Sequence, residues 1–137
     1  MRRFGSASLL ISTLACTAAL LCTSCTQTYK PPGKQLPEGF LINCYPKSTC
    51  TSSDSTPLPG KQQQQIVVLM SEDDVQKIVA WYKTELTLKG YMVLSDNDIK
   101  GSITLESQND KMHCSVTISP LDDKHTIISI STYPKPI

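Results

Sequence analysis

The sequence predicts an α+β domain of two layers, one amphipathic helix packed on a mostly antiparallel sheet of about four to six strands. Three observations carry this. Val75, Ile78, Val79, Tyr82 and Leu86 recur at helical spacing. After Gly90 the apolar period falls from about 3.6 to 2. The alternating segments that follow present one apolar and one polar face, as a sheet covered on one side does.

The helix is marked at both ends. Ser71 stands where an N-cap is expected, and Glu72, Asp73 and Asp74 place negative charge in the first turn, where the helix dipole favours it. Asp74, three residues on, approximates a capping box. Lys89 and Gly90 close the helix with a cation and a left-handed cap. Ahead of the helix, I-V-V-L-M at 66–70 is β-branched and short, a buried strand. Behind it, Y-M-V-L at 91–94 is a strand and S-D-N-D-I-K-G at 95–101 turns the chain.

Three more strands are expected at 102–107, 112–119 and 126–133. A two-residue turn at Asn109 and Asp110 sets Leu105 opposite Cys114 and Ile103 opposite Val116. A loop over 121–125 then sets Ile118 opposite Ile128 and Val116 opposite Ile130. All these side chains share one face, leaving His113, Ser115, Thr117, Ser119, Ser129 and Ser131 for water.

The first residues read as a targeting segment rather than as part of the fold. Arg2 and Arg3 form a basic head, and residues 9–22 are an uncharged, largely apolar run of 14 residues. A membrane-spanning helix needs about 20. The run ends in L-L-C-T-S-C-T-Q, residues 20–27, so a signal peptide is expected over 1–24. With its removal 113 residues remain, and the two arginines leave with it. The mature part then has 11 basic and 12 acidic side chains, a net charge of one negative. No basic field suggests nucleic acid.

That cysteine-bearing end resembles the bacterial lipoproteins, in which a leucine-rich run ends in a small residue before an acylated cysteine. Ser24 and Thr23 match the two places before Cys25; Cys22 stands where the family usually has Leu, and the leucine is one place earlier, at Leu21. The resemblance implies lipid attachment at Cys25, a membrane held through that covalent lipid, and, from Thr26 rather than Asp after the cysteine, the outer membrane rather than the inner. The alternative is an ordinary cleaved signal, since small residues before a cut also suit the general signal peptidase. A Cys-x-x-Cys redox pair or a zinc site lacks its context here, having neither a thioredoxin-like surround nor further ligands.

Residues 25–39 are rich in Pro and Gly and read as a flexible tether. The domain follows over 40–137, with an irregular loop at 46–65 that separates a short apolar run at 40–45 from the rest. Cys44 and Cys50 fall in this stretch and are a candidate disulfide; two free thiols are the alternative.

The stretch D-D-V-Q-K-I-V-A-W-Y-K-T-E-L-T-L-K-G-Y, residues 73–91, is similar to a helix in many small bacterial envelope proteins of uncharacterised function, with a pattern near V-x-x-F-Y-K-x-E-L-x-x-x-G-W. Cys44, Tyr45, Pro46 and Lys47 correspond to a Y-P-G segment of that family, with Lys in place of Gly. These are packing residues, so the resemblance implies the fold and not an activity.

Chemistry is largely excluded. Asp96, Asp98 and Gly101 imitate the opening of a calcium loop, but Lys100 and Ser107 occupy ligand places and the shell does not close. His113 and Cys114 face opposite sides of a strand, and His125 lies at the far end of the same hairpin, so no metal site is expected. No nucleophile elbow, phosphate loop or Cys–His pairing is present. Trp81 and Tyr82 read as a rim residue beside a core residue.

The expected function is therefore a lipid-anchored cell-envelope protein without cofactor or catalytic site, a binding or accessory module with an envelope protein as partner. The rival readings are a small-ligand carrier or an enzyme, with a site in the sheet's concavity or beside the glutamine-rich loop, and a secreted, unlipidated protein.

Overall fold

The computed structural model describes residues 29–136; the expected signal peptide and Cys25 lie outside the described residues. The elements are β1 (Ser48–Leu58), β2 (Gln62–Ser71), α1 (Val75–Leu88), β3 (Met92–Ile99), β4 (Ser102–Gln108), β5 (Met112–Pro120) and β6 (Thr126–Pro134). They form one six-stranded sheet in the order β1-β2-β6-β5-β4-β3, with every neighbouring pair antiparallel. The helix packs across β3, β4 and β5 on one face. This is the expected α+β architecture.

The expected irregular loop at 46–65 is instead most of a long hairpin. β1 pairs with β2 from Ser48 opposite Ser71 to Leu58 opposite Gln62, with a bulge between Cys50 and Ser52. Polar composition does not forbid this, because β1 is an edge strand that buries few side chains beyond Ser48 and Cys50. At the edge Pro57 also forgoes little, since a missing N–H matters least where no second ladder is required. Gly60, at φ 77°, supplies the left-handed conformation that the tight Pro59–Lys61 turn needs. The glutamine run thus becomes the first half of β2.

The part of the expected tether that is described also behaves differently. Cys50 donates its amide to the Pro32 carbonyl (2.8 Å), and Lys34 donates to the Cys50 carbonyl (3.0 Å), so Gly33 bridges to β1 in parallel. Tyr29 donates its hydroxyl to the Ser48 carbonyl and Ser53 donates to the Gln35 carbonyl. Residues 29–39 are docked, because their backbone finds partners on the otherwise open edge of β1.

Around the helix, the apolar stripe is as expected, with Ile78, Val79, Tyr82 and Leu86 buried. The N-cap is Asp74 rather than Ser71: Lys77 donates its amide to Asp74 Oδ1 at 2.9 Å. Ser71 is claimed by the sheet, pairing with both Ser48 and Thr126, while its hydroxyl donates to the Lys47 carbonyl. At the other end Tyr91 donates to the Leu86 carbonyl (2.9 Å) and Gly90 to that of Thr87 (3.0 Å). This pair of bonds needs Gly90 in its left-handed state, φ 80°.

The turn expected over 95–101 shrinks to Lys100 and Gly101, both at positive φ, as a two-residue hairpin turn requires. Asp96, Asn97 and Asp98 extend β3, the other edge strand, where polar side chains reach water. Asp96 receives the Lys83 ammonium from α1. The β4–β5 register also differs: Leu105 lies opposite Val116, and Ile103 opposite Ile118. The cause is a longer loop, in which the Asn109 carboxamide oxygen accepts the amides of Lys111 and Met112 at 2.9 and 2.8 Å. A slip of two residues preserves every side-chain face. The β5–β6 register is as expected, with Ile118 opposite Ile128 and Val116 opposite Ile130.

The core joins Val67 and Leu69 of β2, Leu105 of β4, Val116 and Ile118 of β5, and Ile128 and Ile130 of β6, none with any exposure, to the helix stripe. Each large apolar side chain so buried stabilises the fold by about 1.5–3 kcal/mol. The irregular segment ahead of β1 contributes Ile42, Cys44 and Tyr45 to the same core.

Tyr45 and Tyr82 couple that segment to the helix. The Tyr45 amide donates to the Tyr82 hydroxyl (3.1 Å), and the Tyr45 hydroxyl donates to Asp73 (2.6 Å). Trp81 is half-buried and meets both tyrosine rings edge to face, at 5.5 and 4.8 Å. Tyr82 is the core residue and Trp81 its neighbour at the rim.

Candidate functional site

Antiparallel pairing brings one end of five strands together: the β1–β2 turn, the β4–β5 loop and the end of β6. The segment 38–41 passes over this end, tied down where Gln65, itself buried, donates its carboxamide to the Glu38 carbonyl at 2.7 Å. Between them is a cleft of about 680 Å³. That volume is in the range of small-molecule sites, about 300–1,000 Å³.

The cleft has an apolar lining, from Leu41, Met112, Pro134 and Pro136, and a polar one, from Gln62, Gln63 and Gln65. Lys61, Lys111 and Lys135 stand around it, with Glu38 and Asp110. Among the described residues the ion pairs are Lys77–Asp73, Lys83–Asp96 and His125–Asp122, so none of these five charges is neutralised by a partner within contact distance. Lys111 and Lys135 are held near each other by the Lys135 amide, which donates to the Lys111 carbonyl at 2.8 Å. Opposite Gln65 in the β2–β6 ladder is Thr132, almost wholly buried, whose hydroxyl has no hydrogen-bond partner.

A smaller cavity of about 230 Å³ lies by the helix N-terminus, among Asp73, Asp74, Asp122 and His125. Three of the five carboxylates that line it, Asp73, Asp74 and Asp122, are engaged in the fold. Asp74 caps the helix, Asp73 accepts from Tyr45 and Lys77, and Asp122 accepts from His125 and from the Lys124 amide. The Tyr45 hydroxyl and then the Lys77 ammonium hold the Asp73 carboxyl below its ordinary value, and the His125 ring does the same for Asp122. Among the described residues no group of three or more His, Cys, Asp or Glu side chains is placed to hold a metal. His113, at the other end of β5 from His125, stacks on Tyr133 at 5.0 Å.

Cys44, Cys50 and Cys114 are buried free thiols, so the expected Cys44–Cys50 bridge is not formed. Five residues of loop would bring two thiols together, but Cys50 belongs to β1, where its thiol donates to the Ser52 carbonyl at 3.5 Å. Burial pushes the Cys44 and Cys114 thiols up to about 12 from 9. Their neutral form is favoured by folding, so this contribution to stability is complete below pH 9 and is lost as pH rises from about 9 to 12. Alkylation of the native chain at pH 8 is expected to leave the Cys44 and Cys114 peptides largely unmodified, since thiolate is the reactive form. Peptide mass mapping after iodoacetamide, with and without denaturant, checks this; equal labelling in both would contradict it.

The cleft residues come from four separate stretches, and no local motif unites them. The readable signal was the glutamine run beside a turn. Trp81, Tyr82, Cys44, Cys50 and Cys114, prominent in the sequence, belong to the packing instead.

A family model described as START domain-like matches residues 49–127, which run from β1 to the start of β6 and cover more than half of the chain. No curated protein and no solved structure matches it. The chain belongs to the START domain-like family.

Proposed function

We propose that the protein is a non-catalytic binding module of the cell envelope, anchored by lipid at Cys25, and that the cleft at the end of the sheet is its ligand site. The observation that carries the binding reading is the cleft itself: it has the volume of a small-molecule site, an apolar lining and, at its rim, charged groups outside any ion pair among the described residues. Membership of the START domain-like family supports the same reading. The anchor rests on the sequence alone, on a run too short to span a bilayer followed by Thr23-Ser24-Cys25.

Binding is tested by a thermal-shift screen of the full chain against a small-molecule library. A ligand that raises the midpoint for the wild type and not for Leu41→Asp or Met112→Asp is the expected result. Shifts that survive both substitutions would move the site elsewhere. For the anchor, cells fed an alkyne fatty acid are expected to label the wild type and not Cys25→Ala, and equal labelling of the two would refute attachment at that sulfur.

A further inference from the structure

We propose that the cleft selects an anionic amphiphile, a small molecule with a carboxylate or phosphate head on an apolar body; this rests on the cleft being the ligand site. The chain has 11 lysines. Three of them, Lys61 in the β1–β2 turn, Lys111 in the β4–β5 loop and Lys135 after β6, are carried by the topology to one opening. None forms an ion pair among the described residues. Glu38 and Asp110 share the opening and leave it with one net positive charge, although the mature chain as a whole is expected to carry one negative.

A carboxylate or phosphate accepts charge-assisted hydrogen bonds from ammonium groups, which are roughly twice as strong as neutral ones. The apolar requirement comes from Leu41, which is 65 % exposed although it lines a cleft with Met112 and Pro134. An apolar body lying on these residues removes that surface from water, the general source of affinity in such sites. A head at the lysines and a tail on Leu41 and Met112 satisfy both halves of the lining at once.

A free amphiphile and the headgroup region of a membrane lipid share this chemistry, and the test separates them. The full-length chain is titrated calorimetrically with dodecanoate, dodecyl phosphate and dodecanol, and is sedimented with phosphatidylglycerol vesicles. The two anionic probes are expected to bind about tenfold or more tighter than dodecanol, with a preference that weakens in high salt. The triple variant Lys61→Gln, Lys111→Gln, Lys135→Gln is expected to lose that preference. The triple variant Lys30→Gln, Lys34→Gln, Lys89→Gln, with the same change of net charge outside the cleft, is expected to keep it.

Sedimentation that depends on the cleft lysines assigns the lipid headgroup as the source, and binding of the free probes alone assigns the free amphiphile. Equal affinity for dodecanol and dodecanoate, or a preference unchanged in the cleft variant, overturns the proposal while the ligand-site reading stands. If none of the probes binds and the neutral library also gives no shift, both fall.

Discussion

Tyr82→Ala is expected to lower the stability of the chain by about 3–5 kcal/mol, the range for removing a large aromatic side chain from a packed core. Tyr82 has no exposure and sits at the centre of the helix stripe, against Trp81. Its hydroxyl is engaged as well. It accepts the Tyr45 amide at 3.1 Å and donates to the Asn43 carbonyl at 3.4 Å, and so fixes the irregular segment ahead of β1 against α1.

Tyr82→Phe separates the two contributions. The ring stays, but the Tyr45 amide is left buried without a partner, which costs about 1–3 kcal/mol. Chemical denaturation of the three proteins measures both steps. A phenylalanine variant as stable as the wild type would show that the hydroxyl does not hold the segment.

Gly33→Ala is expected to release the N-terminal segment from β1 and to cost about 1–3 kcal/mol. Gly33 adopts φ 103°, a conformation that L side chains rarely take, and a Cβ there would lie 2.2 Å from the Cys50 carbonyl oxygen. That oxygen is backbone in a paired strand and has no freedom to withdraw. The bonds at risk are those from Cys50 to Pro32 and from Lys34 to Cys50. Hydrogen exchange at the amides of Lys34 and Cys50 is expected to accelerate strongly while protection in β5 and β6 is retained. With the segment gone, the β1 edge is open to pairing with another chain, so the variant is also expected to associate at high concentration. Unchanged protection at Cys50 would count against this account.

The helix and the last three strands were legible because their signals are local and agree with one another. Ile78, Val79, Tyr82 and Leu86 mark a stripe, Lys89 and Gly90 mark its end, and the alternation through Cys114, Val116 and Ile118 fixes which face is buried. The β4–β5 register was displaced by two residues because turn length depends on how Asn109 bonds to its neighbours, and alternation is blind to a shift of two.

β1 was not legible, since Ser, Thr and Pro describe an edge strand and a surface loop equally well. Its ladder with β2 depends on a partner that composition does not reveal. The docked stretch from Pro32 to Lys34 was hidden for the same reason. Ser71 satisfied the local rule for an N-cap, but two strands compete for its backbone and win.

The sequence by itself determined the class of the domain, the identity and buried face of the helix, and the inward set of the last three strands, because each follows from the spacing of apolar side chains along a few consecutive turns or pleats. The tertiary structure alone decided that a polar stretch becomes β1, that the presumed spacer lies along its edge, and that Lys61, Lys111, Lys135 and Leu41 meet at one opening. These residues are far apart in the chain: the antiparallel order of the sheet brings the three lysines to the same end, and the hydrogen bond from Gln65 to Glu38 holds the segment with Leu41 over it.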